Sequence, residues 1–206
     1  ILLDAEGPNK AYSAGLFHGE PVGMACDHLK LALCELAALA ERRVFRLTTG
    51  SLSSRMPAFL VHSDRPGIGM MVPQTTAAAL VSENRAMAYP STADSIPTCE
   101  DQEDLVAMST SAARRAADVL ANSQRVVAIE FLAAAHALWW RRSQGEAGQL
   151  GKGTERALQT IEVILGGHGG ASPSEDIEAI TEAVRQGFIL DEVEAAVGPL
   201  TGALHD

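Results

Sequence analysis

From Leu105 to Leu138 the small and apolar positions recur at steps of three and four almost without a break: Met108, Ala112, Ala116, Val119, Ser123, Val127, Glu130 and Ala134 lie between them. Only a helix puts such positions on one face. The spacing predicts one helix over roughly 101–142, which at about 1.5 Å per residue runs to about 60 Å. A single chain of 206 residues cannot cover such a rod. Partner surface is needed, from further copies in a homo-oligomer or from further polypeptide. A second run, Val22, Cys26, Leu29, Leu33, Leu36, Ala40, Val44 and Leu47, predicts a helix over 20–47. Pro21 fits its first turn, and Arg42, Arg43 and Arg46 close it at the negative end of the dipole, as a solvated or interface helix end.

A third helix is expected over 68–88, where Met70, Met71, Thr75, Ala78, Ala79, Ser82 and Ala86 are small or soft enough for close packing. Glu83, Asn84 and Arg85 read as a polar network at a helix contact. Past a glycine-rich connection, short helices are expected over 154–165 and 172–187, parted by Gly166-Gly167-His168-Gly169-Gly170. With 47% hydrophobic but only 4% aromatic residues, the interior is of the Ala, Leu and Val kind that helices build, and Pro and Gly do not recur at strand-and-turn spacing. The expected fold is all-α, a long-helix bundle in one helical region: an arm and loop over 1–19, a core over 20–142, and short C-terminal helices over 143–206.

A formal net charge of −10 argues against nucleic acid or an anionic membrane as partner. No apolar run reaches membrane-spanning length, and no basic segment with a short apolar core opens the chain. The first residue is Ile, so the chain is expected to be trimmed or to continue something upstream. Cys26, Cys34 and Cys99 are too scattered for a disulfide framework or zinc site, and reduced thiols suit a cytoplasmic location. The six histidines have no ligand spacing, so no metal is expected.

Between the helix expected over 68–88 and the body of the one expected from about 101 lies Asp94-Ser95-Ile96-Pro97-Thr98-Cys99-Glu100-Asp101-Gln102-Glu103-Asp104. Pro97 stops what precedes it, Thr98 or Asp101 is placed to cap the next helix, and the acids crowd its first turn, where the dipole favours them. Gln102 and Glu103 are then an amide and a carboxylate at a helix start, suited to substrate recognition or proton transfer.

These residues also carry a family resemblance. Asp94-Ser95-Ile96-Pro97-Thr98 with Gln102-Glu103-Asp104 resembles a segment of the C-terminal half of histidine ammonia-lyases, and Phe17-His18-Gly19-Glu20-Pro21-Val22 resembles the loop whose aromatic faces prosthetic group and substrate in that family. Glu41-Arg42-Arg43, Met56-Pro57-Ala58-Phe59-Leu60 and Gln74-Thr75-Thr76-Ala77-Ala78-Ala79-Leu80 resemble it too, so the likeness covers essentially the whole chain. The family of histidine, phenylalanine and tyrosine ammonia-lyases and related aminomutases uses a methylidene-imidazolone group made from Ala-Ser-Gly, in sites built from loops of three subunits of a homotetramer. No Ala-Ser-Gly occurs here. The resemblance therefore implies the C-terminal portion of such an enzyme, active only with an N-terminal portion that carries the tripeptide.

By the same resemblance Phe17 walls the pocket beside the prosthetic group and substrate, and Gln102 and Glu103 contact substrate or prosthetic group, both with a catalytic part. Glu103 also points to substrate: histidine-type enzymes carry Gln-Glu-Asp here, where phenylalanine and tyrosine types carry Asn-Gln-Asp, and a carboxylate suits an imidazole. Histidine, giving urocanate, is the first expectation. The chain departs from the family at Leu16 and Asp101, where Asn is usual, and at Leu105, where His is usual. An aminomutase, a lyase for another aromatic amino acid, and a non-catalytic helical scaffold are the competing readings.

Overall fold

The computed structural model describes residues 18–62, 69–169 and 172–200. Six α-helices follow in order: α1 Glu20–Thr48, α2 Met71–Met87, α3 Ser109–Ser143, α4 Lys152–Ile164, α5 Pro173–Arg185 and α6 Phe188–Val197. Short 3-10 turns over Ala58–Leu60 and Ser91–Ala93 punctuate the connections. No strand occurs among the described residues, so the all-α expectation holds. No helix among them is long and apolar enough to cross a membrane.

α1 begins where Gly19 turns left-handed and Pro21 takes the first turn, and it ends with Arg46 in the last turn. It runs beside α3 in the same direction: Gly23 meets Ser109, Leu33 accepts a hydrogen bond from Ser123, and Arg43 reaches Glu130. α2 returns antiparallel to α1, with Asn84 near Cys34 and Tyr89 near Lys30. Small side chains let these helices close up. Ala37, Ala40, Val44, Ala77, Val126, Ile129, Leu132 and Ala133 are buried at the contact. Asn84, fully buried, donates to Ser123 Oγ at 3.2 Å, and Asn122 donates to Glu83. Of the expected polar network, Glu83 and Arg85 are exposed and Arg85 lies outside these bonds.

Beyond α2 the core continues along the far half of α3, where Trp139, Leu158, Ile161, Ile180 and Ile189 join helices α3 to α6. α6 was not expected. Gly187, in the left-handed region, separates it from α5.

Two expectations are corrected. The apolar run of α1 is not one buried face: Ala40 and Val44 are buried, but Val22, Leu29 and Leu36 are 50–62% exposed, and Gly23, Asp27, Lys30 and Ala37 face inward instead. The helix is apolar on two sides, and spacing alone does not say which side this chain covers. The second concerns α3, which starts at Ser109 and not at 101. Cys99, Glu100 and Asp101 have φ of 55°, 57° and 66°, which no right-handed helix contains. The acids before Ser109 therefore lie in a loop, and neither Thr98 nor Asp101 is a helix cap. The N-cap is Met108, itself left-handed and without a side-chain cap bond.

Candidate active site

Residues 94–108 form a closed loop. Thr98 and Glu103 exchange backbone hydrogen bonds of 3.0 and 3.2 Å, an isolated antiparallel bridge that ties the neck of a turn. Gln102 N–H closes the tip on Cys99 carbonyl at 3.1 Å. Below the neck Val106 N–H donates to Ser95 Oγ at 2.8 Å. Three successive non-glycine residues in the left-handed region cost about 1–2 kcal/mol each, and such strain persists where surrounding bonds over-determine it.

The base of this loop is held by a buried charge pair on α1. Asp27, 5% exposed, accepts from Lys30 Nζ at 2.7 Å, from the backbone N–H groups of Ser91 and Thr92, and from Thr92 Oγ1 at 2.8 Å. Lys30, fully buried, also donates to the Tyr89 carbonyl at 3.1 Å. Burial pushes the Asp27 carboxyl upward, but the Lys30 ammonium and the Thr92 and Ser91 donors outweigh it and hold the group well below the usual carboxylate range. The pair thus fixes residues 89–92 to α1, immediately before the loop begins.

On the other side, His18 Nε2 lies 2.7 Å from the Leu105 carbonyl. A carbonyl only accepts, so Nε2 carries the proton and donates. His18 Nδ1 then faces Glu20, whose Oε2 is 3.9 Å away and is buried with no hydrogen-bond partner among the described residues. Between these pieces opens a cavity of about 460 Å³, lined by His18, Thr98, Glu103 and residues 105–111. Its edge carries a carboxylate, an imidazole and the hydroxyls of Thr98, Ser109, Thr110 and Ser111. Such a set binds a small polar ligand and moves protons.

The two segments singled out in the sequence thus meet at one cavity, brought together by the parallel course of α1 and α3. Glu103 lines it; Gln102 is exposed at the loop tip and does not. Phe17 lies outside the described residues. His18, Asp27 and Lys30 were not foreseen as participants. Two opposite charges one helical turn apart, in a stretch over 21–34 with no other acid, lysine or arginine, were the available signal for the last two. Among the described residues no group of three or more His, Cys, Asp and Glu is placed to hold a metal ion.

Comparison with known proteins matches residues 2–163 to the family model described as aromatic amino acid lyase. A histidine ammonia-lyase of Symbiobacterium thermophilum is 44% identical over 193 residues, which cover 93% of this chain and 37% of that protein. Among solved structures, the histidine ammonia-lyase of Trypanosoma cruzi superposes with a TM-score of 0.84 at 35% identity, covering 93% of this chain and 37% of that one. The tyrosine aminomutase of Streptomyces globisporus gives 0.83 at 33%, covering 93% and 36%. The chain therefore spans little more than a third of the length of the relatives it matches. With most of its residues matched by the family model and nearly all of them by such relatives, the chain belongs to the aromatic amino acid lyase family.

Proposed function

We propose that this chain is the C-terminal part of an ammonia-lyase that eliminates ammonia from an aromatic L-amino acid, histidine first, giving urocanate. The observation that carries the reading is the cavity in which Glu103 and the His18 segment meet across 85 positions of sequence, at the motifs by which the chain resembles histidine-type enzymes.

No Ala-Ser-Gly occurs in the 206 residues, so the methylidene-imidazolone group would form on polypeptide outside them. The donor set fits one wall of a pocket for it: an open cavity whose lining includes a carboxylate and several hydroxyl residues, with no lysine or arginine among them. When bound, that group supplies the electron sink that makes the amine a leaving group. The residues of this chain do the rest of their share. Glu103 accepts a hydrogen bond from the substrate imidazole or takes a proton, Gln102 contacts substrate from the loop tip, and Phe17 walls the pocket. The other polypeptide and further copies close the site. An exposed stripe on α1, Val22, Ala25, Leu29, Ala32, Leu36 and Leu39, supports this, because its three-and-four spacing is that of a helix–helix seam. A homotetramer in the cytoplasm is the assembly proposed.

A second reading has its own support. The tyrosine aminomutase superposes as well as the histidine enzyme does, and Leu105 and Asp101 depart from the histidine-type pattern beside the cavity. The test uses the complete enzyme, its prosthetic group verified by intact mass. Glu103→Ala is expected to lower turnover at least about 10²-fold, the scale of a lost acid–base group, with the oligomer intact. Glu103→Gln is expected to lower activity on histidine more than on phenylalanine. Equal losses on the two substrates would remove the histidine assignment, and an assembled, prosthetic-group-bearing enzyme inert toward every aromatic amino acid would remove the lyase reading.

A further inference from the structure

Residues 99–105 are exposed throughout, and the Leu105 side chain is 57% exposed, so no apolar packing determines where the tip of the loop stands. The bonds at Thr98 and Glu103 and at Ser95 and Val106 are internal and give the loop its shape. The loop re-enters the fold at Ala107, which is buried, and the Asp27 clamp acts on residues 91 and 92, ahead of the loop. Among the described residues, the hydrogen bond that ties the Glu103 half of the loop to the residues leading into α1 is the 2.7 Å bond from His18 to the Leu105 carbonyl.

We infer that His18 is a positioning residue: through the Leu105 carbonyl it sets where Glu103 stands. This deepens the proposed function and rests on it for the identity of the group being positioned. His18 follows Phe17 directly and Leu105 is two residues from Glu103, so one hydrogen bond locks together the two segments that face each other across the cavity. The backbone beneath His18 is closely packed. Gly19 is left-handed at φ 79°, and a Cβ added there would stand 2.9 Å from Ser109 Oγ, so the turn from His18 into α1 sits against the start of α3. Nε2 must keep its proton to serve Leu105, so the neutral ring turns only a lone pair toward the Glu20 oxygen at 3.9 Å, and the Leu105 bond is what sets the ring.

Two readouts in the complete enzyme test this. In steady-state kinetics His18→Ala is expected to lower kcat by about 10²-fold, as a displacement of about 1 Å does, with a smaller change in KM. His18→Gln places an amide N–H near the position of Nε2 and is expected to recover most of that loss; His18→Asn, whose amide is too short, is not. A purely structural histidine would instead give Gln and Ala variants of equal kcat, or losses that follow Tm, and either result overturns the inference. The second readout needs no turnover: amide hydrogen exchange at Glu103 and Val106 should quicken in His18→Ala and slow again in His18→Gln. If the complete protein proves to have no lyase activity, the proposed function fails while exchange still decides whether His18 holds the loop. Unchanged exchange in His18→Ala overturns the tie itself.

Discussion

α1 and α3 run side by side, and their two ends are built differently. At the start of the pair, charge is buried and saturated: Asp27 has four donors within 3.2 Å, and Lys30 has no solvent exposure. At the far end Glu41 is buried as well, but its partner Arg42 is 60% exposed, and the other pairs lie on the rim. Arg43 pairs with Glu130 in a two-pronged contact but is more than half exposed, and Arg142 spans Glu155 and Glu162 from a surface position. A cavity of about 450 Å³ opens there too, floored by Leu47, Met56, Ala134 and Leu138 beneath Arg43, Arg46 and Arg141. Buried ions lose their water, and only a full set of partners offsets that loss, so they tolerate one geometry. Exposed pairs tolerate many. The end that must hold a loop in one place is the end where both members of the ion pair are buried.

Removing one member of the buried pair should therefore produce the largest loss of stability. Asp27→Asn leaves the Lys30 ammonium without its counter-ion in a site closed to water, and an uncompensated buried charge costs about 3–5 kcal/mol. Urea unfolding of the purified protein measures it. The pH dependence sharpens the point. The folded carboxyl titrates below its unfolded value of about 3.9, so its contribution is fully present above that value and is lost as pH falls through the depressed folded one. The wild type should lose stability below about pH 4 through this group, and Asp27→Asn should show a shallower acid slope. A variant as stable as the wild type would mean the two ends do not differ in kind.

Next in size is Gly23→Ala. Inside a helix Ala is better than Gly by about 1 kcal/mol, so at an open position the change would stabilise. Here the new Cβ would stand 2.7 Å from Thr92 Cγ2 and 3.1 Å from Ser109 Cα. Thr92 cannot turn away cheaply, because both its N–H and its hydroxyl are held by Asp27. Overpacking of this sort costs about 1–3 kcal/mol, and a net loss of about 1–2 kcal/mol is expected in the same urea experiment. Adding Thr92→Ser, which removes the methyl and keeps the hydroxyl, should restore part of it. Without that rescue the close fit of α1, the Ser91–Ala93 turn and α3 is not what fixes Gly23.

What the sequence made legible follows the same division. The course of α1 was readable because Pro21 and Arg46 mark its ends with local chemistry. The start of α3 was not, since Leu105 and Met108 continue the three-and-four spacing into a loop, and Glu100, Asp101, Glu103 and Asp104 resemble a first turn. No glycine announces that the chain turns left-handed at Cys99. Glu103 was found by resemblance, and the structure puts it at a cavity. Its neighbours there were not legible, because the meeting of His18 with Leu105 comes from the parallel pairing of two helices, which no local pattern encodes. The same holds for the exposed seam of α1, whose residues have the periodicity of a buried face and differ only in what lies against them.

The smallest effect is expected at the far end, and it bears on the comparison as much as the largest. Arg43→Ala removes both prongs of the Glu130 contact, yet the arginine is 57% exposed and the glutamate 22%, so water already screens much of their attraction. Ordering two long side chains opposes the remainder, and exposed pairs of this kind are worth about 0.2–1 kcal/mol. A loss within that range is expected in urea unfolding at low salt, shrinking further as added salt shortens the screening length to about 3 Å near 1 M. The Asp27→Asn loss, arising where ions do not penetrate, should be nearly independent of salt. If Arg43→Ala instead costs as much as Asp27→Asn and keeps that cost at high salt, the arginine end is covered in the assembled protein. The cavity beneath Arg43, Arg46 and Arg141 would then be a closed interface and not a rim.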